Sequence, residues 1–91
     1  MTGKKLTKAQ TRKGISLWKA CDAAHTAVYQ GFNNVPFNDA YRDAPAHLRN
    51  AYDDACRELR EYERALVADG RGWFNAHGYF AEFGSATSPW I

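Results

Sequence analysis

Pro45–Gly70, PAHLRNAYDDACRELREYERALVADG, is the stretch that decides the fold. Leu48, Tyr52, Ala55, Leu59, Tyr62 and Leu66 recur at alternating spacings of four and three. Sustained over nearly three heptads, that spacing puts one apolar seam along one face of a helix. Pro45 suits the first helical position, where its missing N–H is not needed, and Gly70 supplies the stop. Asp53, Arg57 and Glu61 step by four on the outer face, as in an ion-pair ladder.

A matching seam lies upstream. Gly14, Trp18, Cys21, His25 and Val28 alternate by four and three, flanked by Ile15, Leu17, Ala24 and Tyr29. Thr7 and Gln10 have the spacing of a capping box, in which hydroxyl and amide satisfy each other's backbone N–H. Gly14 costs about 1 kcal/mol in a helix interior, which points to a close approach at its backbone. Gly31 reads as a C-cap.

These signals predict helices over 8–30 and 45–69, lying antiparallel and crossing near the ~20° of bundle packing. The connection, GFNNVPFNDAYRDA, combines turn residues with Phe32, Val35, Phe37 and Tyr41. It reads as a packed loop with one helical turn near Asp39–Tyr41. Residues 1–6 read as a flexible basic arm.

The tail from Arg71 to Ile91 is aromatic-rich and is expected to roof the hairpin as a third layer. Trp73, Ala76, Phe80 and Phe83 keep a helical spacing, so the reading is a short third helix weakened at Gly78. A β-hairpin turning at His77–Gly78 is the alternative, but it would place Phe74 and Glu82 on one face. The expected class is mostly α, a single small domain over residues 1–91.

Three Trp, five Tyr and five Phe among 91 residues give enough apolar area for one modest core. No apolar run approaches the ~18 residues of a membrane span, and no secretory signal is visible. With only two cysteines, Cys21 and Cys56, reduced thiols and a cytoplasmic setting are expected, although a bridge across the hairpin is geometrically conceivable. The net charge of +2 conceals a polarity: six basic residues and no acid precede Asp22.

No catalytic constellation emerges. Cys21 and His25 share a helical face, yet a zinc site needs three or four ligands and no complete set is evident. No serine or cysteine sits in a glycine-framed elbow, and no phosphate loop is present. The expectation is a non-enzymatic chain without metal or cofactor.

Two surfaces remain. Lys5, Lys8, Arg12 and Lys19 form a basic stripe, opposed by the macrodipole at the start of the first helix. Their partner is nucleic-acid phosphate, an acidic protein surface, or internally the acids Asp54, Glu58 and Glu61. Trp73, Phe74, Tyr79 and Trp90, with Arg64 and Arg71, form an aromatic and arginine patch of the kind that centres protein interfaces. A homodimer could use that patch isologously.

The expected function is therefore a module that binds and regulates or inhibits a larger protein or a ribonucleoprotein or DNA-binding complex. Phages and mobile elements encode inhibitors of this size. Direct DNA or RNA binding through the first helix is the alternative, and a small metal protein or enzyme the third reading.

Overall fold

A computed structural model describes residues 3–30, 32 and 34–91. Its elements are α1 (Lys8–Tyr29), α2 (Phe37–Asp43), α3 (Ala46–Ala68), β1 (Gly72–Phe74) and β2 (Phe80–Glu82). Helix α1 starts on the expected capping box: Thr7 Oγ1 accepts from Gln10 N at 3.1 Å, and Gln10 Oε1 accepts from Thr7 N at 2.9 Å. The proposed C-cap at Gly31 lies outside the described residues.

Helices α1 and α3 pack as the antiparallel hairpin that the two seams require. Gln10 and Lys13 meet Tyr62 at one end, and His25 meets Tyr52 toward the other. The connection folds further than one turn. Pro36 initiates the two-turn helix α2, which drives Phe37, Ala40 and Tyr41 against Val28 and Ala44. Phe37 stacks flat on His25 at 4.4 Å between ring centroids.

Residues 73–83 do not form a third helix. They make an antiparallel hairpin with Gly72 opposite Glu82, Trp73 opposite Ala81 and Phe74 opposite Phe80. The turn is written by Asn75. Its Oδ1 accepts from His77 N at 2.9 Å and Tyr79 N at 3.1 Å, while its carbonyl accepts from Gly78 N at 2.9 Å. Gly78 then takes φ +80, which a side chain would disfavour and which closes the five-residue connection 75–79 between β1 and β2. Glu82 does share a face with Phe74 and Phe80. It is tolerated there because its carboxylate accepts the Leu6 backbone N–H at 2.9 Å.

The stretch read as a flexible arm is tied to this hairpin over residues 4–6. Lys4 N donates to the Gly70 carbonyl at 2.9 Å, and the Arg71 guanidinium donates to the Lys5 carbonyl at 2.7 Å. Leu6 packs on the lower core. The outer ladder on α3 is also rearranged: Arg57 pairs with Asp54 at 2.8 Å, and Asp53 instead accepts from the Tyr41 hydroxyl at 2.8 Å.

The third layer is thus in two pieces. An upper cap of α2 and its flanking loop covers Val28, Ala40 and Ala44. A lower cap of hairpin and C-terminal segment joins Leu66, Phe80 and Trp90 to Ile15, Trp18 and Leu59. Between them one side of the α1–α3 interface stays open.

Candidate functional site

The basic stripe is displayed as its spacing predicts. Lys8, Arg12 and Lys19 follow one another along the outside of α1, and Lys5 precedes them, all four exposed. Among the described residues none of the four makes an ion pair; the arm's other lysine, Lys4, pairs with Asp69 at 3.1 Å. The internal acids Glu58 and Glu61 do not reach across to them, and Asp54 is engaged by Arg57.

The aromatic and arginine patch is divided by the hairpin. Trp73 is 43% exposed, with Nε1 held on the Ser85 carbonyl at 2.9 Å, and Tyr79 is 67% exposed. Phe74 is turned inward, edge-on to Phe80 and beneath the Arg60 guanidinium. Arg71 is structural rather than available: its side chain is 17% exposed and bonded to Asp69 at 2.6 Å as well as to Lys5. Arg64 remains exposed on α3.

Trp90 is not a surface residue. It is 4% exposed, stacked on Phe80 at 5.4 Å, with its ring edge against Gly14. A Cβ at position 14 would collide with that ring, which explains the glycine inside α1. Phe83 takes a place in the exposed set instead. It is 43% exposed and shares the outer hairpin face with Trp73, its N–H bonded to the Arg71 carbonyl at 2.9 Å. The hydrogen bonds of residues 4–6 bring the start of the basic stripe to the same end of the molecule as this aromatic face.

A third feature lies in the opening between the two caps, a groove of about 560 Å³. Its walls include Trp18, Leu59, Phe80 and Trp90, and its polar lining includes Cys21, His25, Tyr52, Cys56, Arg60 and Glu63. Glu63 is only 6% exposed. Its Oε2 accepts from Trp90 Nε1 at 3.0 Å, whereas Oε1 stands 3.9 Å from Arg60, too far for a hydrogen bond. Arg60 is drawn away by the Gly78 carbonyl at 3.0 Å and by the Phe74 ring. Burial raises the Glu63 carboxyl above its ordinary range, against the lowering pull of Trp90 and Arg60.

The two thiols are free and both line the groove. Burial, with the neighbouring Cys56, pushes the Cys21 thiol up to about 12, so it stays protonated near neutrality. Burial and the neighbouring Cys56 likewise raise the Tyr52 phenol to about 12. Among the described residues no three His, Cys, Asp or Glu side chains converge as a metal site would require, and His25 is occupied in stacking on Phe37.

Glu63 had a signal in the sequence. Tyr52, Cys56, Leu59, Glu63 and Leu66 also alternate by four and three, a second register beside the apolar seam, with an acid in the middle. Comparison with protein-family models, curated proteins and solved structures found no match.

Proposed function

We propose that this chain is a non-enzymatic interaction module that docks through the cationic outer face of α1 onto an anionic surface of a larger protein or protein–nucleic-acid complex, regulating or inhibiting it. The observation that carries this reading is the exposure of Lys5, Lys8, Arg12 and Lys19 without an ion-pair partner among the described residues. Three of these charges ride on one rigid capped helix, so little ordering entropy is lost when they engage together. The ten acids all lie from Asp22 onward, giving a molecular dipole that would orient the approach.

Direct binding of single-stranded nucleic acid is the second reading. It is favoured by Trp73 and Phe83, two part-exposed rings on one face beside the lysines of the arm. Stacking platforms next to backbone-binding cations are what such ligands use.

Anisotropy titrations at low salt with labelled polyglutamate and a labelled single-stranded oligonucleotide test both. Docking predicts polyglutamate binding that weakens as salt rises and is lost in the Lys8→Glu, Arg12→Glu, Lys19→Glu triple variant. Binding that survives the triple variant, or no binding to either polyanion, overturns the proposal. Preferential oligonucleotide binding that depends on Trp73 transfers it to the second reading.

A further inference from the structure

We infer that the groove between the two caps is a binding site for a small aromatic amine, held by its ring among the aromatic walls and by its protonated nitrogen on Glu63. This inference does not rest on the docking role of α1, which concerns the outer surface of that helix.

The volume of about 560 Å³ falls within the ~300–1,000 Å³ of small-molecule sites, and predominantly apolar walls with a few placed polar groups are their usual chemistry. Phe80 and Trp90 stack on each other with their planes 5° apart and are buried, so they give the groove an apolar edge that Trp18 and Leu59 extend. The polar groups then select the ligand. Glu63 is more than nine-tenths buried and spends only Oε2 internally, on the Trp90 indole. Oε1 lacks a donor because Arg60 is bonded to the Gly78 carbonyl and lies over Phe74.

Glu63 lines the groove and its Oε1 takes no hydrogen bond there, so an ammonium placed beside it can form a charge-assisted hydrogen bond. Asp22 lines the same groove, so the acids outnumber the single arginine along its walls. The neutral Cys21 thiol and the Tyr52 hydroxyl supply no competing anion. An anionic ligand would meet Glu63 and Asp22 with only Arg60 in compensation.

The test uses phenethylamine and its neutral counterpart 2-phenylethanol, with two readouts: tryptophan fluorescence and the Trp90 indole N–H resonance. The inference predicts saturable binding of the amine that moves the Trp90 resonance, and affinity for the alcohol roughly tenfold weaker or worse. Glu63→Gln, which keeps an acceptor for Trp90, should lose amine affinity by a similar factor while still melting cooperatively. No saturable binding, equal affinity for amine and alcohol, or binding that leaves the Trp90 resonance in place each overturns it. Should the variant fail to fold, the amine-to-alcohol ratio and the Trp90 shift on the native chain decide the matter alone.

Discussion

The Trp90 indole and the Glu63 carboxylate satisfy each other inside the lower core, Nε1 to Oε2 at 3.0 Å. The ring that makes this bond also stacks on Phe80 and fills the space over Gly14. One side chain from the C-terminal segment therefore joins α1, α3 and the hairpin.

Trp90→Ala should accordingly destabilise the fold by about 3–5 kcal/mol, the range for emptying a buried aromatic site. Trp90→Phe keeps most of the stacking but leaves Glu63 without its donor, at about 1–3 kcal/mol. Urea denaturation of both variants checks the order. A midpoint unchanged in Trp90→Ala would remove Trp90 from the core.

Glu63 makes a pH prediction whose sign is opposite to that of a paired surface acid. Its folded-state carboxyl titrates above the ordinary value of 4.5, so the cost of burying the charge is present at neutral pH. That cost is relieved as pH falls through the raised folded value toward 4.5. The stability of Glu63→Gln relative to the native chain should therefore shrink on moving from pH 7 to pH 5, measured as paired urea midpoints. A difference that grows in acid contradicts this.

Asp69 should behave in the reverse sense. Hydrogen bonds from Arg71 and Lys4 hold its carboxyl below the ordinary range, so what it contributes persists above that range and is lost as pH falls through the lowered value. Glu82→Ala, at the other anchor of residues 4–6, removes the acceptor of the Leu6 amide. Faster hydrogen exchange at Leu6, with little change in α1 beyond its first turn, is the expected outcome.

Charge reversal on the basic face should separate binding from stability. Lys8 opens α1 with no acid in the first turn, against the macrodipole. Lys8→Glu is expected to raise stability by about 0.3–1 kcal/mol while weakening polyanion binding. Loss of both together would mean that the stripe holds the fold.

The Cys21 thiol should be slow to react in the native chain. With Cys21 raised to about 12, its thiolate is scarce at pH 8, and alkylation should proceed far faster after unfolding. A time course of mass labelling with and without urea measures this.

The helical hairpin was legible because burial on one side of each helix imposes a 4–3 spacing, and the capping box because it is local. Gly14 advertised a close approach, though not that Trp90 makes it. The β-hairpin was obscured by Glu82, whose place on the inner face makes sense only once the Leu6 amide is there to meet it. Long-range polar pairing leaves no period in the chain. Burial of Trp90 was hidden for a related reason: an aromatic near an end reads as surface until its partners, far away in sequence, are known. Glu63 lay in a readable register, but the neighbouring all-apolar seam masked it.

The split third layer also sets an order of assembly. Val28, Ala40 and Ala44 with Phe37 and Tyr52 draw together within one short span of chain. The lower core instead needs Leu6 and Ile15 to find Phe80 and Trp90 across most of the sequence. Loop closure favours the near contacts, so the upper end should zip first and the lower end lock last, around the residue that arrives from farthest away.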